Sequence, residues 1–137
     1  EDIHLNGHAI ECRINAEDPA QDFRPCPGKV DFLHFPGGPG VRVDSCLYSG
    51  CTLSPYYDSM AAKVLAHGDT RMEAIRRMRG CLEEFTLEGF PTNAELSYQI
   101  LYHPSFILGA CTTAFLDENL RLLLEFNRKL DESEGNA

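Results

Sequence analysis

The sequence predicts an α+β fold, in which an antiparallel β-sheet of short strands from the first half of the chain packs with helices from the second half. Residues 10–15 and 41–45 alternate apolar and polar side chains, with the period of two that is typical of a half-buried strand. Turns rich in glycine and proline separate the candidate strands so closely that neighbouring strands are expected to run antiparallel. After residue 70, apolar side chains recur every three or four positions, which indicates amphipathic helices.

The first predicted strand carries different residues on its two faces. Alternate residues from Ile10 to Ile14 form an apolar face, whereas Glu11, Arg13 and Asn15 point the opposite way. The Asp-Pro pair that follows ends the strand, because proline lacks a backbone donor and restricts the residue before it. One face of this strand is therefore expected to pack in the core, and the other carries an acid, a guanidinium and an amide.

Further strands are predicted along the first half of the chain. Residues 30–35 and 41–45 are bounded by proline and glycine, and residues 51–54 form a short extended piece. Residues 60–67 are apolar enough for a buried strand, and residues 86–88 add a short strand between helices.

Helices are predicted in the second half from their start signals and their periodicity. Capping boxes at residues 70–73 and 92–95 each open a helix, a short turn follows at 105–108, and residues 117–130 form a final amphipathic helix. The apolar stripe of the first helix comprises Met72, Ile75, Met78, Leu82 and Phe85. Residues 132–137 are polar, and we expect them to form a disordered tail.

The composition limits the function classes. The 137 residues suit a single domain over residues 1–131, and 12 basic against 21 acidic residues give a net charge of −9. Such a field repels phosphate backbones, which argues against nucleic acid as a partner. No apolar run approaches the ~20 residues of a membrane helix, and no signal-peptide pattern is present. From the start at Glu1, without methionine, we expect a fragment or an excised domain rather than a natural beginning.

The metal-ligating residue types show no metal-site spacing. The six cysteines include no C-x2-C pair, and the five histidines are scattered along the chain. We therefore predict no metal site. We expect the cysteines to be reduced thiols of a cytoplasmic protein, because nothing in the sequence indicates an oxidising compartment.

Arg13 is the first candidate functional residue. A rigid strand that presents a guanidinium between hydrogen-bonding neighbours can hold a planar anion or a carbonyl in place. An ordinary edge strand with a solvated polar face explains the same pattern, so both interpretations stand.

The segment Pro55–Met60 is the second candidate. Tyr56, Tyr57 and Asp58 lie directly ahead of a predicted buried strand, where a sheet end can form a site. The tyrosines also suit a packing role, since a tyrosine ring is apolar and its hydroxyl finds a partner when buried. We expect Asp58 to fix the Arg13 guanidinium, with a purely structural salt bridge as the alternative.

Five motifs occur in one order along the chain. They are G-H-A-I-E-C-R-I-N-A-E-D-P from Gly7, P-x-P-G-K-V from Pro25, P-G-G-x-G-V-R from Pro36, P-Y-Y-D-S-M from Pro55 and E-G-x-x-T-N from Glu88. With these motifs the chain resembles the C-terminal domain of biotin carboxylase over most of its length. This enzyme is a component of acetyl-CoA carboxylase, which serves fatty acid biosynthesis, and of the pyruvate, propionyl-CoA and methylcrotonyl-CoA carboxylases.

The resemblance implies an ATP-dependent ligase that carboxylates biotin at N1 with bicarbonate through a carboxyphosphate intermediate. It implies biotin, ATP and magnesium as cofactors, the last two held mainly by an ATP-grasp region that precedes this segment. The implied partners are the N-terminal and ATP-grasp domains of the same enzyme, a biotin carboxyl carrier protein, a carboxyltransferase and a second copy in a homodimer. The fragment alone is expected to be inactive. We expect a cytoplasmic location, with the mitochondrial matrix as the alternative if the parent is a eukaryotic acyl-CoA carboxylase.

The resemblance also implies roles for individual residues. Arg13 matches the catalytic arginine that faces the ureido ring of biotin. The other implied roles are biotin-site support by Glu11, Tyr57 and Asp58, a subunit contact at Arg42, and the adenine side of the nucleotide site at Thr113 and Ala114. The alternative hypothesis is a noncatalytic α+β interaction module of a larger assembly, in which Arg13 anchors a partner.

Overall fold

The computed structural model describes residue 2 and residues 4–134, with side chains described up to residue 129. The elements in chain order are β1 (His8–Asn15), β2 (Glu17–Asp18), β3 (Arg24–Pro25), β4 (Phe32–His34), β5 (Val41–Asp44), β6 (Met60–Gly68), α1 (Arg71–Glu84), β7 (Thr86–Glu88), α2 (Ala94–Ile100), α3 (Pro104–Ile107) and α4 (Phe115–Glu134). Strands dominate the first half and helices the second, and every described strand pair is antiparallel. The predicted α+β class is confirmed.

The main sheet has three strands in the order β1-β6-β5. β1 pairs with β6 from His8 opposite Gly68 to Ile14 opposite Ala62, and the register then shifts so that Asn15 lies opposite Met60. This shift is a β-bulge, because Ala61 is the additional residue on β6. Beyond the bulge the Ala16 amide donates to the Ser59 carbonyl at 2.7 Å, so the two chains stay together past the end of β1.

The inner face of the main sheet and one face of α1 form the larger hydrophobic core. The expected alternation along β1 is present, since Cys12 and Ile14 are buried while Glu11 and Arg13 are exposed. The buried members of this core are Cys12, Ile14, Ala62, Val64, Ala66, Met78, Cys81, Leu82, Phe85 and Leu101. The small residues of β6 let α1 approach the sheet closely, and larger side chains from α1 fill the interface.

A second, smaller core lies beside the bulge. Its buried members are Ala16, Val30, Leu47, Ala61 and Phe90. β4 and β7 pair with each other as a two-stranded sheet beside it, and an isolated bridge joins Lys29 to Thr52. The predicted extended piece at residues 51–54 is therefore reduced to that single bridge, and the predicted strand 30–35 shortens to β4.

The start of α1 follows the predicted cap. Thr70 has extended backbone angles, and its side-chain hydroxyl accepts a hydrogen bond from the Glu73 amide at 3.2 Å. The Glu73 carboxylate accepts from the Asp69 amide at 2.9 Å, one residue earlier than in a standard capping box. Four of the five predicted stripe residues are buried, and Met72 is half-buried.

The helix α2 forms where it was expected, but the hydrogen bonds of the predicted capping box are not formed. Asn93 is the N-cap residue, and its side chain makes no capping hydrogen bond. Thr92 accepts from the Ala94 amide at 3.3 Å instead of from Glu95. The Asn93 side chain is bonded to β1, and this long-range contact replaces the local one.

The final helix is longer than predicted at both ends. α4 begins at Phe115 rather than Asp117, with the Phe115 amide donating to the Thr112 carbonyl at 3.1 Å. The helix continues to Glu134, three residues into the segment that we predicted as a disordered tail. Residues 135–137 of that segment lie outside the described residues.

Replacing Gly89 with alanine should destabilise the chain strongly. Gly89 has φ +126°, and a Cβ there would overlap the Lys29 carbonyl oxygen. The unfavourable φ alone costs on the order of 1–3 kcal/mol, and the overlap adds to it. The matched control is Gly80→Ala in α1, where a Cβ meets open space and should add about 0.5–1 kcal/mol of stability. Urea unfolding measures both, and a Gly89→Ala midpoint at or above the wild-type value would contradict this packing.

Candidate functional site

The candidate site lies on the outer face of the main sheet. Residues directly opposite each other in antiparallel strands project from the same face. Arg13 on β1 lies opposite Lys63 on β6, and Lys63 lies opposite Asp44 on β5. The next row of the same face places Glu11 and Arg42 on either side of Leu65. The outer face therefore carries charged side chains in two adjacent rows, with Leu65 in the middle of the second row. The inner face is apolar.

Arg13 presents its guanidinium away from the core. Its side chain is exposed, and its Nη2 lies 3.5 Å from the Sδ atom of Met60. Among the residues that the structure describes, Arg13 forms no ion pair with any carboxylate. A thioether sulfur is a weak acceptor, so nearly all the donor capacity of this guanidinium is available to a ligand.

The predicted ion pair between Arg13 and Asp58 is not formed. Asp58 Oδ1 instead accepts a hydrogen bond from the Met60 amide at 3.0 Å. This bond to the backbone two residues ahead is the usual local use of an aspartate side chain, and it satisfies the carboxylate without a distant partner. Arg13 and Asp58 nevertheless both contact Met60, which places them at the same end of β6.

Tyr56 and Tyr57 are not packing residues in this chain. Each is 93% exposed, so the interpretation of the two tyrosines as buried side chains with satisfied hydroxyls is wrong. The Tyr56 amide donates to Ser54 Oγ at 3.2 Å, which shows a local turn ahead of β6. Both rings are exposed to solvent beside the end of the sheet that carries Arg13.

Asn93 is a site residue whose role the sequence analysis missed. Its Nδ2 donates to the Arg13 carbonyl at 3.1 Å, and its Oδ1 accepts from the Asn15 amide at 2.8 Å. Its own backbone amide donates to the Asn15 carbonyl at 3.3 Å. The T-N pair of the fifth motif was the available signal, but local helix rules assigned it to a cap.

Arg42 and Asp44 form a bidentate ion pair on β5. Arg42 Nε lies 2.9 Å from Asp44 Oδ1, and Nη2 lies 2.6 Å from Oδ2. The hydrogen bonds from Arg42 hold the pKa of the Asp44 carboxyl below its usual range, and the same pair raises the pKa of Arg42. Arg42 thus differs from Arg13, because part of its guanidinium fork is already occupied.

Thr113 and Ala114 are not brought to the face that carries Arg13. They lie immediately before α4, where the Ala114 amide donates to Thr112 Oγ1 at 3.3 Å and the Ala114 carbonyl accepts from the Glu118 amide. α4 packs against α2 rather than against the main sheet. These two residues therefore belong to a different part of the surface from Arg13.

Across residue 2 and residues 4–134, no group of three or more His, Cys, Asp or Glu residues could hold a metal ion. Within that same part of the chain, no helix is both long enough and apolar enough to cross a membrane.

Comparisons with known proteins identify the family and the fold of this chain. The sequence model of the biotin carboxylase C-terminal domain matches residues 11–118. The biotin carboxylase of Haemophilus influenzae is 52% identical over 120 residues, which are 88% of this chain and 27% of that protein. Biotin carboxylase 1 of Bacillus subtilis is 50% identical over 117 residues, which are 85% of this chain and 26% of that protein.

A solved structure shares the fold. The biotin carboxylase domain dimer of Hydrogenobacter thermophilus 2-oxoglutarate carboxylase, in complex with MgADP, ADP and bicarbonate, aligns with a TM-score of 0.86 at 38% identity. The alignment covers 89% of this chain and 27% of that one. The fold and the ordered motifs thus define a domain of a biotin-dependent carboxylase. The chain belongs to the biotin carboxylase C-terminal domain family, and it spans about a quarter of the length of the curated relatives that it matches.

Alkylation tests the orientation of β1. Cys12 precedes Arg13 on the buried face, and burial raises the pKa of its thiol to about 12. A thiol with such a pKa is almost entirely neutral at pH 8 and should resist iodoacetamide, because the thiolate is the nucleophile. Cys46 and Cys111 are exposed and should react, and mass spectrometry of the peptides assigns each site. In urea Cys12 should react as well. Modification of Cys12 in the folded chain at the rate of Cys46 would mean that this face of β1 is open.

Proposed function

We propose that this chain is the part of a biotin carboxylase that supplies the arginine facing biotin. The parent enzyme would use ATP and bicarbonate to carboxylate biotin attached to a carrier protein. The observation that carries the proposal is the state of Arg13, which is exposed on a rigid strand with no carboxylate partner among the described residues. Arg13 also occupies the arginine position of the first motif.

The chemistry needs a fixed cation of this kind. When a ureido nitrogen loses its proton, negative charge moves onto the carbonyl oxygen of the ring. A guanidinium aimed at that oxygen stabilises the charge where it develops, as an oxyanion hole does. A guanidinium already paired with a carboxylate would offer fewer donors and a weaker field, so the unpaired state of Arg13 suits this role.

A second cation beside Arg13, Lys63 on β6, supports the proposal that this site binds an anion. Lys63 lies directly opposite Arg13, and like charges in that arrangement destabilise a strand pair unless an anion or solvent compensates them. An oxygen that gains negative charge beside Arg13 would be attracted by both cations. The two cations stabilise a ureido oxygen that carries negative charge more than a neutral one. Catalysis requires this preference, because the charge develops in the transition state.

The residues predicted to support the biotin site are Glu11, Tyr57 and Asp58, and each has its own role in this proposal. Glu11 lies two residues before Arg13 on the same face of β1. Asp58 fixes the start of β6 through the Met60 amide, and so supports the surface on which Arg13 lies. Tyr57 is free to meet the substrate or another domain, since 93% of it is exposed.

This proposal gives Arg42, Thr113 and Ala114 roles other than contact with the ureido ring. Arg42 would contact the second subunit of a homodimer, with Asp44 holding its guanidinium in one orientation. Thr113 and Ala114 would border the adenine of ATP. The nucleotide and its magnesium would be bound mainly by the N-terminal and ATP-grasp domains of the parent enzyme, and a carboxyltransferase would use the product. The free thiols of the six cysteines support a reducing compartment such as the cytoplasm.

The isolated chain should neither hydrolyse ATP nor carboxylate free biotin. The physical reason is that the nucleotide and its magnesium are proposed to bind mainly to the N-terminal and ATP-grasp domains, and the described part of this chain holds no group of three or more His, Cys, Asp or Glu residues that could hold a metal ion. The measurement is phosphate release with and without biotin, and addition of the N-terminal and ATP-grasp regions should restore it. Biotin-dependent turnover by the chain alone would contradict this division of roles.

Replacing Arg13 tests the proposal itself. In the full parent enzyme, Arg13→Ala should lower kcat for biotin carboxylation by at least ~10²-fold, the usual effect of removing an oxyanion-stabilising donor. The KM for ATP should change little, because Arg13 is not proposed to touch the nucleotide. The matched control is Arg121→Ala, which removes an exposed arginine of α4 whose partner is Glu125. If Arg13→Ala kept kcat within twofold of wild type, Arg13 would be an anchor for a partner and the catalytic proposal would fail.

A further inference from the structure

The backbone that carries Arg13 lies at the open edge of the main sheet. β1 is an outer strand, since the order is β1-β6-β5, so its second edge has no partner among the strands that the structure describes. An unpaired edge leaves backbone N–H and C=O groups that a strand, a side chain or water must satisfy. At Arg13 and Asn15 those groups are satisfied by Asn93.

The Asn93 carboxamide takes the place of a peptide group in a neighbouring strand. It donates to the Arg13 carbonyl and accepts from the Asn15 amide, and the Asn93 backbone amide adds a bond to the Asn15 carbonyl. One residue thus makes three hydrogen bonds to β1 from nearly eighty residues away in sequence. Few other side chains offer a donor and an acceptor side by side in this way.

This end of β1 needs an additional restraint. The regular register with β6 breaks between Ile14 and Asn15, one residue beyond Arg13. A bulge disrupts the ladder locally and bends the strand with the additional residue, here β6, so pairing with β6 alone leaves the position of Arg13 less well defined. Asn93 bonds to the residues on both sides of that break.

Because the Asn93 side chain bonds to β1, it does not cap α2, the helix that begins after it. Asparagine is among the best N-cap residues, and a lost side-chain cap is worth roughly 1 kcal/mol. Asn93 occupies the N-cap position of α2 but makes no side-chain cap bond. Its side chain is used for the strand instead, which ties the start of α2 to the residue that the proposed reaction depends on.

The restraint continues from Asn15 toward the turn that carries Asp58. Asn15 Nδ2 donates to Glu17 Oε2 at 3.4 Å, and Ser59 Oγ donates to Glu17 Oε1 at 2.5 Å. Ser59 lies between Asp58 and Met60, the two residues that form the local turn at the start of β6. A series of hydrogen bonds, through the Asn15 backbone and the Asn15, Glu17 and Ser59 side chains, thus joins Asn93 to both segments of the candidate site.

We propose that Asn93 is a positioning residue for the reaction, which holds the β1 backbone at Arg13 and thereby fixes where the guanidinium meets the ureido oxygen. This inference rests on the proposed function of Arg13. Loss of the Asn93 side chain leaves the Arg13 carbonyl and the Asn15 amide without their partners. A catalytic group displaced by about 1 Å costs on the order of 10²-fold in rate, because charge stabilisation depends on fixed geometry.

The experiment uses the full parent enzyme, its Arg13→Ala variant and four further variants. Asn93→Ala removes both side-chain bonds, and Asn93→Asp keeps an acceptor for the Asn15 amide but sets a carboxylate oxygen against the Arg13 carbonyl. Both variants should lower kcat for carboxylation of free biotin by tenfold or more, with the KM for ATP within about threefold of wild type. Asn119→Ala is the matched control, since it also removes one side-chain bond to a backbone carbonyl, within α4, and should keep kcat within twofold.

The fourth variant combines Asn93→Ala with Arg13→Ala. If Asn93 acts through Arg13, its loss should lower kcat less than twofold further once Arg13 is absent. A merely structural role would lower kcat by the same factor in both backgrounds, and that result would overturn the inference. If Asn93→Ala does not fold, as judged from its thermal midpoint, Asn93→Asp takes its place in the same cycle.

The two proposals fail in different ways. An Arg13→Ala enzyme with kcat within twofold of wild type contradicts the proposed function, whatever Asn93 does. A severe loss for Arg13→Ala, combined with wild-type kcat in both Asn93 variants, overturns the positioning role and leaves the proposed function intact.

Discussion

The antiparallel pairing of β1 with β6 is the constraint on which the rest of the structure depends. Because side chains alternate along a strand, this register buries Cys12 and Ile14 against α1 and turns Arg13 outward. A slip of one residue would exchange the two faces and bury an unpaired guanidinium in an apolar core, at a cost of many kcal/mol. The same core that stabilises the fold therefore sets the direction in which Arg13 points.

The two arginines of the outer face are held in different states. Arg42 forms two bonds to Asp44, which leaves a fixed and partly neutralised guanidinium on β5. Arg13 lies opposite a lysine and forms no ion pair among the described residues, so the same chemical group is left available for an external oxygen. Asp44 therefore holds Arg42 in a fixed ion pair, whereas Arg13, which has no such partner among the described residues, is suited to binding a ligand.

The parts of this structure that follow from local patterns could be predicted from the sequence. The alternation along β1, the apolar run of β6 and the capped stripe of α1 each depend on residues within a few positions of one another. Contacts between distant segments could not be predicted in this way. Asn93 has the sequence context of a helix cap, and only the folded chain shows that β1 competes for its side chain.

Asp58 illustrates the opposite error. From the sequence we expected a long-range partner, Arg13, although an aspartate two residues before a strand start can be satisfied by the nearby backbone amide. The structure shows this local bond to Met60. The exposed Tyr57 was misjudged for a related reason, since an aromatic residue beside a buried strand is usually packed. For Asp58 the error lay in the partner, and for Tyr57 it lay in the interpretation of the side chain as buried.

The most direct test of the central claim is a crystal structure of the full parent enzyme with biotin bound. The account predicts a guanidinium nitrogen of Arg13 within roughly 2.7–3.2 Å of the ureido oxygen, the range of a good hydrogen bond, with no carboxylate paired to it. A ureido oxygen held by other donors, with Arg13 turned away into an ion pair, would contradict the account.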